Sequence, residues 1–131
     1  KIILYLFNFN ENISEMILMI QKEMAQKFDY KLPNMNKYKF LTKIVSDFTK
    51  CFDVSPQVFI PKPKVYSSVV KFKFIKKKNN LKKANNFSKI IFKNVRKKIY
   101  NNTKVKINNE LENKRVNQLT IDELLWIYNF I

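Results

Sequence analysis

The sequence has 131 residues and a formal net charge of +16, from 26 lysines and arginines against ten aspartates and glutamates. It has no glycine, which excludes cofactor loops built on glycine, and no histidine, which excludes histidine general bases and metal ligands. The single cysteine, Cys51, allows no internal disulfide and no cysteine-based zinc site, fits a reducing cytoplasmic compartment, and is expected in the core. With no histidine and one cysteine, we expect no metal site. No apolar stretch approaches the roughly 20 residues of a membrane span, so we also expect no membrane anchor.

The apolar periodicity of the first half predicts alternating helices and strands. Residues 16–20 form a continuous apolar run, typical of a strand buried on both faces, and residues 38–50 carry apolar side chains at helical spacing. The predicted elements are the end of a helix over 2–9, a strand over 13–20, a short helix to about Phe28, a loop over 29–36, a helix over 38–50, a short strand over 52–54 and a long strand over 65–74. Since the chain starts without methionine and inside an apolar pattern, we expect it to be the C-terminal part of a longer protein.

Residues 58–70, between the last two predicted strands, predict a stiff and cationic loop. Two prolines at alternate positions fix φ and bias the residues before them toward extended geometry. Phe59 lies at the mouth of the loop, which also carries Lys62 and Lys64. A rigid aromatic ring beside lysines suits stacking on a nucleobase while the ammonium groups hold phosphate. The alternative is an edge strand opened by prolines, with Phe59 in the core.

The basic residues are concentrated in the middle of the chain. Sixteen lysines or arginines and no acidic residue lie between Asp53 and Glu110, whereas the rest of the chain has ten of each kind. A basic block without acids indicates a polyanionic partner. Within it, residues 76–80 form a polar linker, which predicts a domain boundary dividing the chain into 1–76 and 77–131.

Beyond the linker, apolar positions at helical spacing predict one continuous helix. Its apolar stripe consists of Phe87, Ile90, Ile91, Val95 and Ile99. Its remaining surface carries Lys89, Lys93, Arg96, Lys97 and Tyr100, which form either a contact for the polyanion or an ordinary solvated face. Farther on, Thr120 and Glu123 predict a capping box at the start of a final helix. The packing face of that helix consists of Leu124, Leu125, Ile127 and Tyr128.

Residues 59–67, Phe-Ile-Pro-Lys-Pro-Lys-Val-Tyr-Ser, resemble the F-x-P-x-P-K-V-x-S motif of the small-subunit ribosomal RNA adenine dimethyltransferases. Further segments are similar to motifs of the same family in the same order. Residues 19–23 are similar to a hydrophobic strand ending in Q-K-E, and residues 38–42 are similar to Y-G-x-L-S/T with Lys39 in place of glycine. Residues 92–101 are similar to F-x-x-R-R-K-T-x-x-N with Val95 in place of the first arginine. Residues 115–124 are similar to R-x-E-x-L-S/T-x-x-x-L.

The resemblance implies an α/β fold, namely the C-terminal half of a class I (Rossmann-like) methyltransferase sheet followed by a small all-helical domain. It implies transfer of methyl groups from S-adenosylmethionine to two adjacent adenines near the 3′ end of small-subunit ribosomal RNA during ribosome biogenesis. Phe59 would stack on the target adenine, and the cofactor-binding residues would lie upstream of this chain. With RNA as the partner, the basic block predicts contacts from Lys62, Lys64, Lys89, Lys93, Arg96 and Lys97. We expect a cytoplasmic monomer that binds the precursor of the small ribosomal subunit.

Two alternatives remain at this point. The first is a large-subunit ribosomal RNA adenine methylase of the macrolide-resistance type, which shares the fold. The second is a non-catalytic RNA-binding or ribosome assembly factor, which fits a chain that carries none of the family's cofactor-binding segments.

Overall fold

In the computed structural model, which describes residues 2–76, 81–107 and 110–131, helices and strands alternate up to residue 74 and further helices follow. The helices are α1 (Ile2–Phe7), α2 (Lys22–Phe28), α3 (Lys37–Val45), α4 (Leu81–Ile91), α5 (Ile99–Thr103) and α6 (Ile121–Phe130). The strands are β1 (Glu15–Gln21), β2 (Ser46–Val54) and β3 (Ser67–Phe74), and short 3-10 turns lie at Pro56–Val58, Glu110–Asn113 and Val116–Gln118. None of the described helices has the length and apolar character that crossing a membrane would require.

The three strands form one sheet in the order β1-β3-β2. β3 runs antiparallel to both of its neighbours, so β1 and β2 point in the same direction. Two strands that point the same way need a crossover connection, which α2 and α3 supply. Ser67, at the start of β3, lies opposite Gln21 at the end of β1 and opposite Val54 at the end of β2. The carboxyl ends of β1 and β2 therefore meet at one end of the sheet.

Aromatic side chains form the core between the sheet and the helices that cover it. Phe72, in the central strand, is fully buried, and the ring centroids of Phe7, Phe28 and Phe48 lie 5.7, 5.8 and 5.1 Å from its own. All three contacts have edge-on geometry, which stabilises an aromatic pair by about 0.5–1.5 kcal/mol beyond the burial of its area. The cluster fixes α1 and α2 on this face of the sheet.

The later helices pack on the first part of the chain through α3. Phe40 of α3 is fully buried, and its ring centroid lies 5.2 Å from those of Phe87 in α4 and Tyr128 in α6. The rings of Phe87 and Tyr128 are themselves 5.0 Å apart. The predicted domain boundary after residue 76 stays a prediction, and the linker that suggested it lies outside the described residues from position 77 to position 80.

Lys39, which stands where the family pattern has glycine, is buried and holds the loop before α3. Its ammonium donates hydrogen bonds to the carbonyl oxygens of Leu32, Pro33 and Asn34 over 3.3, 2.6 and 3.0 Å. Asn34 has a left-handed backbone (φ 68°), a conformation that asparagine adopts more easily than most residues. Burial lowers the pKa of Lys39, and the charge of Asp29 partly opposes that effect.

The prediction that the first strand is buried on both faces is wrong. Along β1 the side chains alternate, with Met16 buried while Ile17 and Met19 are 59% and 53% exposed. Successive residues of a strand point to opposite faces. In the described part of the chain, the helices cover the face that carries Phe72, and the other face remains open.

The predicted helix over 38–50 ends at Val45, and the strand predicted over 52–54 begins already at Ser46. Ser46 has extended backbone angles, and its hydroxyl donates to the carbonyl of Thr42 over 2.9 Å. Phe48 fits both a helical stripe and an alternating strand pattern, so periodicity alone did not decide between them. Pairing with β3 places Phe48 opposite Phe72, and this tertiary contact sets the outcome.

The continuous helix predicted around Arg96 is also wrong, because α4 ends at Ile91 and α5 begins only at Ile99. Ile90, assigned to its apolar stripe, is half exposed. Asn94 interrupts the helix, since its side chain accepts a hydrogen bond from the main chain of Arg96 instead of facing solvent from a helical turn. The residues between the two helices form a turn.

Cys51 is exposed, so its predicted place in the core is wrong. It lies where the pairing register of β2 with β3 shifts between Lys50 and Phe52, and such a bulge leaves the extra residue outside the regular alternation.

Two other predictions are confirmed. The predicted short helix ends at Phe28, and Thr120 and Glu123 form the expected capping box, with reciprocal bonds of 3.2 and 3.0 Å.

Candidate nucleic-acid interface

The loop over residues 55–66, here called the proline loop, lies at the end of the sheet where β1 and β2 finish. It leaves from Val54 and returns to Ser67, which are paired in the sheet, so both of its ends are held by the strand ladder. The first residue of α2 lies beside it, since the main-chain N–H of Lys22 donates to the carbonyl of Tyr66 over 3.0 Å. In sheets with strands that run in the same direction, ligands bind outside the carboxyl ends of those strands.

The first part of the proline loop fixes the backbone of Phe59. A 3-10 turn over Pro56–Val58 begins with Ser55, whose hydroxyl accepts a bond from the N–H of Gln57 over 3.3 Å. The N–H of Phe59 closes that turn by donating to the carbonyl of Pro56 over 3.3 Å. The backbone of Phe59 is extended, its side chain is partly buried, and Ile60 after it is fully exposed.

The two lysines of the proline loop line one shallow cleft of about 500 Å³, here called the proline-loop cleft. Its lining consists of Ser55, Pro56, Gln57, Lys62, Pro63, Lys64 and Tyr66. Lys62 and Lys64 are both exposed, and the lining contains no carboxylate among the described residues. Phe59 does not line this cleft, so the structure brings the two lysines together without the phenylalanine.

A charged cluster beside the cleft was not found from the sequence. One oxygen of Asp53 accepts a hydrogen bond from the hydroxyl of Ser68 over 2.7 Å, and the other lies 3.4 and 3.3 Å from the ammonium groups of Lys22 and Lys50. The bond from Ser68, with those from the lysines, lowers the pKa of Asp53 against an opposing effect of burial. Asp53 and Ser68 lie opposite each other in the pairing of β2 with β3. The sequence alone does not give this pairing, so it did not predict the cluster.

The other predicted RNA contacts lie on α4 and on the turn after it. Lys89 is near the end of α4, and Lys93, Arg96 and Lys97 are exposed in the turn over residues 92–98, here called the basic turn. The structure thus brings three of these four cations together on a turn instead of a helix face. The backbone of this turn is held from outside, because the N–H groups of residues 116 and 117 donate to the carbonyls of residues 97 and 95 over 3.1 and 2.9 Å.

The described residues contain no cluster suited to a metal ion. Among them, no group of three or more cysteine, aspartate or glutamate side chains could hold a metal ion. The chain also contains no glycine, the residue on which nucleotide-cradling loops are commonly built, so we assign none of its residues to S-adenosylmethionine. What the site offers is an aromatic ring, lysines and an ordered loop, a combination that binds bases and phosphates.

Comparison with known protein families identifies one family over the whole chain. A family model described as ribosomal RNA adenine dimethylase matches residues 1–131. A ribosomal RNA small subunit methyltransferase A from Malacoplasma penetrans (strain HF-2) is 43% identical over 63 residues, which are 47% of this chain and 23% of the relative. One from Borreliella burgdorferi (strain ZS7) is 36% identical over 91 residues, which are 66% of this chain and 32% of the relative. The matched segments therefore span about a quarter to a third of the length of these relatives.

Two solved structures share the fold. A dimethyladenosine transferase from Plasmodium falciparum has a TM-score of 0.73, at 19% identity, over 97% of this chain and 62% of that one. The 23S rRNA methyltransferase ErmE has a TM-score of 0.69, at 14% identity, over 98% of this chain and 58% of that one. The α/β expectation is thereby confirmed at the level of a mixed α/β fold of the methyltransferase kind, with a three-stranded antiparallel sheet.

Proposed function

This chain belongs to the ribosomal RNA adenine dimethylase family, and we infer that its residues serve the transfer of methyl groups from S-adenosylmethionine to two adjacent adenines near the 3′ end of small-subunit ribosomal RNA. The observation that carries this proposal is the position of the F-x-P-x-P-K-V-x-S loop at the shared carboxyl ends of β1 and β2. A ligand of such a sheet binds at that end. In the proposal, residues 1–76 complete the catalytic fold, and residues 77–131 bind ribosomal RNA.

Phe59 is the proposed stacking surface for the target adenine. An enzyme that modifies a base takes it out of the stack and holds it against aromatic side chains. Phe59 is partly buried, and its own N–H closes the turn before it, so the backbone that carries the ring is held in place. Methyl transfer of this kind depends on positioning the amine, so it needs no acid or base from this chain. S-adenosylmethionine supplies the methyl group and would be held by residues other than these.

The basic turn and Lys89 are proposed to hold the ribosomal RNA away from the reacting base. Lys93, Arg96 and Lys97 are exposed on a turn with a fixed backbone, so their charges are presented together. Contacts with phosphate carry little sequence information and position the partner. Each phosphate contact also makes the affinity more sensitive to salt. We place this activity in the cytoplasm, where a single unpaired cysteine stays reduced.

The proposal is tested in a polypeptide that joins this chain to the cofactor-binding half of a relative. We expect Phe59→Ala to remove most transfer of labelled methyl groups to unmethylated small subunits while leaving RNA binding nearly unchanged. Phe130→Ala, which removes an exposed ring in the last turn of α6, is the matched control and should retain activity. Methylation by the Phe59→Ala protein at the unmodified rate would contradict the proposed role of Phe59.

The target RNA has its own test. The relatives described above are named for the small subunit, whereas one similar structure is a 23S rRNA methyltransferase. We expect dimethyladenine in the small-subunit RNA after the joined protein is expressed in cells that lack this modification. Dimethyladenine in the large-subunit RNA instead would favour the macrolide-resistance type of activity.

A second candidate function, an RNA-binding module without catalysis, is favoured by the absence of glycine. On that reading, and also on the first, the chain alone binds ribosomal RNA but not the cofactor. Isothermal titration of the 131-residue chain with S-adenosylmethionine should show no binding. Tight binding would contradict our assignment of the cofactor to other residues.

A further inference from the structure

Tyr66 is an exposed aromatic residue at the end of the proline loop, at a position that the motif of this loop leaves unspecified. It is 50% exposed and lines two neighbouring concave surfaces. One is the proline-loop cleft, of about 500 Å³. The other, of about 350 Å³, is lined by Gln21, Lys22, Glu23, Gln26 and Val65 as well. Burial in the core therefore does not account for the ring.

The surroundings of Tyr66 hold it in place on one side. Its carbonyl accepts the main-chain N–H of Lys22 over 3.0 Å, which joins the end of the proline loop to the start of α2. The ammonium of Lys22 lies over the ring, 5.7 Å from its centroid, and this ammonium also lies 3.4 Å from a carboxylate oxygen of Asp53. A ring ordered before binding loses less entropy when a partner stacks on it.

The charge on the proline-loop side of Tyr66 favours an anionic partner with a flat face, whereas the other concave surface also carries Glu23. Lys62 and Lys64 line the same cleft as the ring, which has no carboxylate among its described lining residues. Aromatic side chains combined with lysines are the recurring means of binding single-stranded nucleic acid, because every base has a π-face and every linkage a phosphate. Duplex RNA hides its base faces, so stacking of this ring on a base requires an unpaired base.

We propose that Tyr66 stacks on an unpaired nucleotide of the RNA while Lys62 and Lys64 contact the adjoining phosphates. This inference rests on the proposed function for its RNA partner. Phe59 does not line the cleft, and in this proposal the nucleotide bound by Tyr66 is a different one from the adenine assigned to Phe59. Tyr66 is thus a positioning residue for the strand that carries the target base.

The test uses the 131-residue chain and two fluorescein-labelled single-stranded probes of about ten nucleotides, a length within the range of single-strand sites. One probe is oligoadenylate, and the other has the same backbone with abasic sites. Replacing Tyr66 by leucine should weaken binding of oligoadenylate by roughly five- to a hundredfold, the effect of losing one stacked base. Tyr66→Phe should bind like the unmodified chain, since it keeps the ring.

The abasic probe separates stacking from contact with phosphate. All forms of Tyr66 should bind it alike, whereas Lys64→Ala should weaken binding of both probes. Tyr5→Leu, which removes another exposed tyrosine on α1, is the matched control and should leave both affinities unchanged. The hydrogen bond between Tyr66 and Lys22 uses the main-chain carbonyl, so the leucine variant keeps it, whereas the contact of the Lys22 ammonium with the ring is lost in Tyr66→Leu and kept in Tyr66→Phe. Circular dichroism of both variants checks that the fold is unchanged.

Equal affinity of the unmodified chain and Tyr66→Leu for oligoadenylate would overturn the inference and leave the proposed function standing. An equal loss on the abasic probe would also overturn it, because the ring would then act without a base. The two proposals can also fail separately in the other direction. Full methylation by the joined protein with Phe59→Ala would contradict the catalytic proposal. Loss of affinity for oligoadenylate by the Tyr66→Leu chain would still support this inference. A chain that binds neither probe nor ribosomal RNA would overturn both.

Discussion

The side chain of Asn102 holds the main chain of Asn94 by two hydrogen bonds. Its Oδ1 accepts from the N–H of Asn94 over 3.1 Å, and its Nδ2 donates to the carbonyl of Asn94 over 2.9 Å. This pairing of one amide side chain with the N–H and the carbonyl of a single residue links α5 to the basic turn. The exposed cations of that turn therefore stand on a backbone that a residue outside the turn keeps in place.

Replacing Asn102 by alanine should loosen the basic turn without removing any charge. We expect the free energy of unfolding, measured in urea, to fall by about 1 kcal/mol, which is the net contribution of one or two exposed hydrogen bonds. Affinity for ribosomal RNA, measured by fluorescence anisotropy, should fall, and its dependence on salt should change little. Asn101→Ala is the matched control, since Asn101 is the exposed neighbour. If the two alanine variants behave alike, Asn102 has no special part in ordering the turn.

Lys39→Met should destabilise the fold by about 1–3 kcal/mol, because the carbonyls of residues 32–34 would lose their donor. Chemical denaturation near neutral pH measures the change. Lys37→Met, on the exposed side of the same helix, is the control and should change stability little. A Lys39→Met protein as stable as the unmodified chain would show that the loop needs no ammonium.

The same variant has a predicted pH dependence. Burial lowers the pKa of Lys39 below its ordinary value of 10.5, so between the folded and the unfolded pKa the unfolded chain binds more protons. The stability of the unmodified chain relative to Lys39→Met should therefore rise as the pH increases through this alkaline window. A stability difference that falls over the same window would contradict the direction of the shift.

Asp53→Asn should remove part of the sensitivity to acid. Because the hydrogen bond from Ser68 lowers the pKa of Asp53, the carboxylate contributes stability above its unfolded value of 3.8 and loses that contribution as the pH falls through the folded value. The stability advantage of the unmodified chain over Asp53→Asn should shrink in that acidic range. Asp47→Asn, on the exposed part of the same strand, is the matched control. An advantage that grows on acidification would refute the assignment.

Phe40→Ala should cost about 3–5 kcal/mol, the usual loss for a buried phenylalanine. Since its ring contacts both Phe87 and Tyr128, we expect the later helices to lose their packing along with α3.

Calorimetry of the unmodified chain and of Phe40→Ala tests the predicted domain boundary after residue 76. One transition, shifted as a whole by Phe40→Ala, would indicate that residues 1–76 and 77–131 unfold together. Two transitions, only one of them shifted, would support independent domains.

The elements predicted correctly are those whose signals are local. Thr120 and Glu123 define the start of α6 by their own hydrogen bonds, and the apolar spacing of Leu124 and Ile127 suffices to predict its buried face. The strand after the proline loop was also predicted, although it begins at Ser67 instead of Val65. In each case the residues that decide the structure are close in sequence.

The predictions that failed depend on partners far away in sequence. Ile17 and Met19 were predicted to be buried, but they are exposed. A continuous hydrophobic run does not indicate which face of the sheet the helices will cover. For the candidate site, the proline loop was found from its motif, whereas the group around Asp53 was not. That group joins residues from α2, β2 and β3, and only the pairing of the strands brings them together.

The pairing of Val54 with Ser67 makes the proline loop a closed unit with a rigid base. The sheet brings the two ends of the loop together, so exchanging the residues between them adds little closure cost, which grows only slowly with loop length. Substrate choice could therefore diverge by replacing this one segment while the strands beneath it stay the same. Transplanting residues 55–66 into another member of the fold would test whether the proposed base contacts move with this segment.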